Sequence, residues 1–199
     1  MKLLEVIKRI NRVLDKEKCH YCLIGGHAAS LYRSQERFTK DVDFALLASS
    51  LSVSSKIAQK AIARLGIKPI LAFIPRSKNE KQRKSVCMIT STPANGEIKG
   101  IIDILLPDLP WVKSAVERAQ YNKIDLGFAK VPVITPEDLI IAKAYALNNA
   151  PDRFQDLDDI KEIFENIPDL DFDYLRETLR ELDIAIPSQL KKYYIKRMK

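Results

Sequence analysis

Leu3, Leu4, Ile7, Ile10 and Leu14 recur every three or four residues with Lys and Arg between them, a period that predicts an amphipathic helix over residues 2 to 17. The pattern then changes. Tyr21-Cys22-Leu23-Ile24 is a short unbroken apolar run closed by Gly25-Gly26, which predicts a buried strand ending in a turn, and residues 27 to 33 suit a helix. Val42 to Leu47 predicts a second strand and Leu51 to Leu65 a helix stopped by Gly66; residues 67 to 74, 84 to 91 and 98 to 106 predict three further strands. Pro107 and Pro110 end the last of these and mark a boundary. After an extended piece from Lys123 to Val133, Thr135-Pro136-Glu137-Asp138 supplies an N-cap, a proline at the first position and acids in the first turn of a helix running to Leu147. Helices at Asp152 to Phe164 and Phe172 to Leu182, separated by Pro168, follow.

This order predicts an α/β (α+β) protein: residues 1–112 form a mixed sheet flanked by helices, and residues 113–199 a smaller, mainly helical domain with a basic tail. Three carboxylates interrupt the apolar pattern of the first part. Asp41 and Asp43 bracket Val42 at the start of a predicted strand, where residues two apart point to one face, and Asp103 stands inside Ile101-Ile102-Asp103-Ile104-Leu105-Leu106. Like charges held together on a partly buried sheet cost free energy unless a cation neutralises them. Mg2+, bound by carboxylates together with water and nucleotide phosphates, meets that need. Read singly, Asp41 and Asp43 also suit a strand end with both side chains in water, and Asp103 suits an edge-strand charge.

Composition narrows the classes. The 199 residues, 30% charged and 46% hydrophobic, describe an ordinary globular chain. No apolar run reaches the length of a membrane span and the charged start is unlike a signal peptide, so a cytoplasmic protein with no membrane partner is expected. Three cysteines argue against a disulfide framework, and Cys19-His20-Tyr21-Cys22 lacks the second ligand pair of a zinc knuckle. Residues 191–199 hold five basic and no acidic residues, so most of the net charge of +7 sits in the tail. A second basic cluster comprises Arg76, Lys78, Lys81, Arg83 and Lys84. Both suit phosphate contacts or plain solvation.

The motifs in combination resemble the DNA polymerase β-like nucleotidyltransferase superfamily: Leu23-Ile24-Gly25-Gly26, a spacer with Arg37 and Thr39, Asp41-Val42-Asp43-Phe44, and a later strand aspartate at Asp103. Ile134 to Lys143 and Arg153 to Ile160 resemble the helical part of its small bacterial branch, which includes the AbiEii-like toxins of type IV toxin–antitoxin systems and relatives of the antibiotic nucleotidyltransferases. The resemblance spans about residues 20 to 165. It implies transfer of a nucleoside monophosphate from an NTP, with ATP among the donors, to a hydroxyl of tRNA, protein or a small molecule, and an antitoxin partner. It also implies Mg2+ bound by the catalytic residues Asp41, Asp43 and Asp103, a triphosphate cradled at Gly25 and Gly26, and phosphate contacts from Arg37 and Lys143. Gly26 stands where many members have Ser, so a hydroxyl contact is absent. Lys40 is also near enough in sequence to meet phosphate, or to form a salt bridge. His27 either orients a substrate group or partly caps a helix. Asp156, Asp158 and Asp159 read as a helix face with local Lys and Arg partners, Asp156 being the one the resemblance marks for testing. A non-catalytic nucleotide- or RNA-binding descendant is the alternative reading.

Overall fold

The computed structural model of the chain describes residues 3–35, 37–72, 87–91 and 100–197. Helix α1, Leu3–Leu14, buries Val6, Ile7, Ile10 and Leu14, the stripe its period predicts. Strand β1 is His20–Leu23, and helix α2, Gly25–Ser30, starts on the glycines rather than after them, so the expected helix at 27 to 33 is displaced. Gly25 permits this, because its φ of 65° lies in the left-handed region. Strand β2, Val42–Leu47, and helix α3, Leu51–Ala63, follow the sequence pattern, with the Ser50 side chain accepting from Val53 N as the N-cap. Strands β3 (Pro69–Ala72), β4 (Met88–Ser91) and β5 (Ile102–Leu105) fall within the runs that predicted them, of which residues 73, 74, 84–86, 98 and 99 lie outside the described residues. The basic cluster from Arg76 to Lys84 lies outside the described residues.

Helix α4, Val112–Ala119, was not expected, although Val112, Ala115, Val116 and Ala119 are buried at helical spacing. Its signal sits directly behind two prolines that read as a terminator. Strands β6 (Lys123–Asp125) and β7 (Lys130–Pro132) form a hairpin within the extended piece. Helices α5 (Pro136–Asn149), α6 (Phe154–Asn166) and α7 (Phe172–Glu181) agree with their predicted ranges to within two residues at each end, and Thr135 caps α5 as expected. The tail is not merely solvated. Residues Lys191–Arg197 form α8, and its Tyr194 ring lies 6.1 Å from Phe164 of α6 and 6.0 Å from Phe172 of α7.

The main sheet has the order β1-β2-β5-β4-β3, with β2 and β5 parallel and every other pairing antiparallel. Alternation separates its two faces. Leu23 and Phe44, paired across β1 and β2, are buried in a core that α1 shares, where the Tyr21 hydroxyl bonds Asn11 and Asp15. Cys22, Asp43 and Ala45 alternate with them on the other face, where Asp43 and Asp103 line a cavity together with Leu139, Ala142 and Lys143 of α5. The two polar strand positions therefore point to the side where helix and sheet are not fully closed.

Candidate active site

Register brings the carboxylates together. Asp43 and Asp103 are direct partners in the parallel pair β2–β5, and Thr90 of β4 is the next residue across, opposite Asp103. Because β5 is the central strand of five, the edge-strand alternative for Asp103 falls. Asp41 lies one residue before β2, exposed, and its Oδ1 accepts the Ile101 N–H at 3.0 Å, which ties the starts of the two strands together. Gly100 allows that approach, since a Cβ there would stand 1.7 Å from the Lys40 carbonyl oxygen.

The acids repel. Burial, then the charges of Asp103 and Asp41, push the Asp43 carboxyl up to about 7, against the opposing effects of Lys143 and a hydrogen bond from the Gly26 backbone. Burial likewise raises Asp103, with the Thr90 hydroxyl bond opposing it and Asp41 adding to the rise. Gly25 is fixed by the same crowding, because a Cβ would fall 2.0 Å from Asp43 Oδ2. Mutually repelling carboxylates on adjacent strands are the donor set that a hard divalent cation neutralises. Among the described residues no group of three or more His, Cys, Asp or Glu side chains is placed so that it could hold a metal ion by itself.

A cavity of about 520 Å³ opens over these acids. Its lining is polar at Gly25, Gly26, Arg37, Thr39, Asp41, Asp43 and Asp103, and apolar at Met88, Leu105, Leu109, Trp111, Leu139 and Ala142. Lys143 and Arg153 occupy the helical wall. Lys143 is buried and its Nζ is held by Asp156 at 2.6 Å and Asp159 at 2.7 Å. Although burial alone raises a carboxyl, Asp156 ends below its ordinary value because Lys143 and Arg153 both serve it.

Here the expectation for the α6 acids needs correction. Asp159 is fully buried and its partners are remote in sequence: Arg33 at 2.5 Å, Arg37 Nε at 2.9 Å and Lys143. Asp158 pairs with Arg33 at 2.7 Å, and only Asp156 has a local partner, Arg153. The loop after α2 and the helices α5 and α6 are thus stitched by one buried charge network. The i, i+3 spacing of Asp156 and Asp159 was the available signal, read as a wet face because nothing local showed what would cover it.

The remaining candidates fall away from the cavity lining. Cys22 is buried in β1 with its thiol pushed up by burial, and burial with Glu17 and Asp15 pushes Cys19 up to about 11, so both stay protonated. His27 is half-buried, and its Nε2 has no hydrogen-bond partner among the described residues. Burial and the nearby Arg37 hold it below its ordinary value. Lys40 lies over the exposed Phe38 ring, 5.7 Å from its centroid.

A mixed sheet carrying paired aspartates on adjacent strands, covered on the acidic side by helices, is the fold of a nucleotidyltransferase, and solved structures of such enzymes superpose on it. A complex of ANT(2'')-Ia with adenylyl-2''-tobramycin matches with a TM-score of 0.58 at 12% identity, covering 89% of this chain and 97% of that one. A solution structure of the antibiotic-resistance factor ANT(2'')-Ia gives 0.52 at 14% identity, with 89% and 91% covered. The lincomycin-bound lincosamide antibiotic adenylyltransferase LnuA gives 0.49 at 19% identity, with 80% and 94% covered. No curated protein is significantly similar in sequence. The chain belongs to the AbiEii family, nucleotidyl transferase toxins of type IV toxin–antitoxin systems, whose family model matches residues 8–189.

Proposed function

We propose that this chain transfers a nucleoside monophosphate from an NTP to a hydroxyl acceptor in a Mg2+-dependent reaction. Asp41, Asp43 and Asp103 bind the metal and carry catalysis, and Gly25, Gly26, Arg37 and Lys143 hold the nucleotide. One observation carries the reading: Asp43 and Asp103 are cross-strand partners with Asp41 beside them, and they face a cationic wall across a single cavity. Bound Mg2+ supplies charge neutralisation for the phosphates and a more acidic nucleophile. Asp103 accepts the proton of the attacking hydroxyl at the carboxylate oxygen that Thr90 does not engage; Thr90 donates to Oδ1. Arg153 and Lys143, oriented by Asp156, set positive charge opposite the acids, where a triphosphate lies between the two walls. The apolar side chains of the lining, Met88, Leu109, Trp111 and Leu139, give the base a dry surface. In this reading residues 1–112 supply the carboxylates, and residues 113–199 close the site with Lys143.

The acceptor we favour is an RNA 3′ end, in a cytoplasmic toxin paired with an antitoxin. Two observations support RNA over a cationic antibiotic. The C-terminal helix presents Lys191 and Lys192, with Lys192 over the Tyr193 ring. Among the described residues, the carboxylates lining the cavity beyond the three strand acids reduce to Asp156, which is already ion-paired. A polycationic small molecule would find little free negative charge there. The test is label transfer from each of four α-32P NTPs with Mg2+ onto total tRNA, onto the protein itself and onto a panel of aminoglycosides and lincosamides. Label on tRNA that vanishes in Asp41→Ala/Asp43→Ala supports the reading. Label on an antibiotic or on the protein alone overturns the acceptor, and absence of both label and NTP binding overturns nucleotidyl transfer.

A further inference from the structure

Two phenylalanine rings stand in water at the rim of the cavity. Phe38 is 77% exposed and Phe154 is 75% exposed, whereas Phe44 and Phe164 are buried in the core. Each exposed ring is bracketed in the chain by residues that line the cavity: Arg37 and Thr39 on either side of Phe38, Arg153 and Gln155 on either side of Phe154. The two segments are far apart in sequence, yet they are tied together at the rim. Arg37 Nε pairs with Asp159 of α6 at 2.9 Å, and Arg37 Nη2 donates to Gln155 Oε1 at 3.4 Å. Neither ring serves the core, so each forgoes the free energy that burial would give it.

Their surroundings are polar and cationic. Lys40 Nζ lies 5.7 Å from the Phe38 ring centroid, and Arg153, next to Phe154, keeps its side chain 55% exposed while its Nε pairs with Asp156. The acid beside them is the exposed Asp152. Single exposed apolar residues need no explanation, but two rings at one rim, each with a cation at hand, do. A protein interface is built on a contiguous apolar patch, and the immediate neighbours of both rings are polar. Aromatic faces interleaved with cations instead match single-stranded nucleic acid, whose bases stack on rings while its phosphates meet the charges.

We propose that Phe38 and Phe154 form a stacking platform for the unpaired bases that precede the 3′-terminal nucleotide of an RNA acceptor, with Lys40 and Arg153 meeting the intervening phosphates. The inference rests on the RNA-acceptor reading above and specifies where that acceptor lies. Asp41, three residues after Phe38, and Arg153, adjacent to Phe154, both line the cavity, so a strand laid over the rings brings its terminal hydroxyl to the acids. A duplex end offers no such free bases, and the platform therefore selects single strands.

Fluorescence anisotropy measures binding to the full chain, with Mg2+, of a short labelled single-stranded RNA, the same RNA with abasic sites before its last nucleotide, and its blunt duplex. Variants are Phe38→Ala, Phe154→Ala, the pair of these, and the pair Phe38→Trp/Phe154→Trp, each checked for folding by circular dichroism. Tyr121→Ala is the control, since it removes a 95% exposed ring that does not line the cavity. Expected is a loss of single-strand affinity of about tenfold for each alanine variant and about a hundredfold for the pair, with the tryptophan pair retaining it. Abasic RNA and the duplex bind the native chain weakly, and NTP affinity is native in every variant. Native single-strand affinity in the alanine pair, an equal loss in Tyr121→Ala, or abasic RNA that binds as tightly as intact RNA each overturns the platform while leaving nucleotidyl transfer intact. Native RNA affinity in the pair, together with a native dimer that the pair dissociates in sedimentation, overturns it in favour of a second copy of the chain. Native protein that binds no single-stranded RNA overturns both the platform and the RNA acceptor.

Discussion

Replacing Asp159 by Ala removes the one carboxylate that serves Arg33, Arg37 and Lys143 at once. Asp159 has no solvent exposure, and the side chains of Arg33 and Lys143 are each 6% exposed, so the loss leaves cations with little water to turn to. Removing one partner of a buried ion pair costs roughly 3–5 kcal/mol, because the other charge stays desolvated. Compensation is partial here. Lys143 keeps Asp156, Arg33 keeps the half-exposed Asp158, and Arg37 keeps only its 3.4 Å contact with Gln155. The lower part of that range, about 3 kcal/mol, is therefore expected. That is a large share of the ~5–15 kcal/mol by which domains are stable. Equilibrium urea unfolding followed by circular dichroism reads it, with Asp159→Asn expected to cost less because it keeps an acceptor. Asp173→Ala serves as the control, since that residue pairs with Arg176 in the open and its loss should leave the midpoint unchanged. A fall of less than about 1 kcal/mol for Asp159→Ala at constant m would refute the view that this acid holds the helical wall together.

Gly25→Ala is expected to destabilise the fold by about 1–2 kcal/mol through its positive φ, and to abolish label transfer because the new Cβ displaces the Asp43 carboxylate. Native stability with full activity would contradict both effects. In EDTA, Asp43 favours the folded state most below its unfolded value near 4, and that contribution is lost as pH rises through about 7. Melting temperature should therefore fall across this window more steeply in the native protein than in Asp43→Asn, and Mg2+ should recover it at pH 7 and above. Parallel profiles for the two proteins would count against the repulsion among the three acids. Tyr194→Ala should free the C-terminal helix from Phe164 and Phe172, so that trypsin removes it faster with no change in the urea midpoint of the rest. Unchanged cleavage would mean that the ring contacts do not hold it.

The candidate acids were legible because they break a local rule. Asp41, Asp43 and Asp103 sit in apolar strand-like runs, and a charge in such a run needs a reason that can be seen without coordinates. The cap of α5 was legible in the same way, since Thr135 acts on a backbone group three residues on. Helix α4 was masked by prolines whose local meaning outweighed a correct helical period.

Sequence by itself determined which residues alternate on β2, and so that Asp43 would point away from Val42 and Phe44, because the period of a strand is a property of the chain alone. It also determined the family to which the chain is assigned, through short motifs in order. Tertiary structure decided the rest by bringing distant segments to one place. Only the parallel register of β2 with β5 puts Asp103 opposite Asp43, and only the docking of α6 on α5 and the α2 loop turns Asp159 from an acid on a helix into the buried partner of Arg33, Arg37 and Lys143. The contacts of Asp159 with Arg33 and Arg37 join residues more than a hundred positions apart, the strand pair joins β2 to β5 across two intervening strands of the chain, and no local preference encodes either. They follow from burying apolar surface, which fixes where the charged groups must meet.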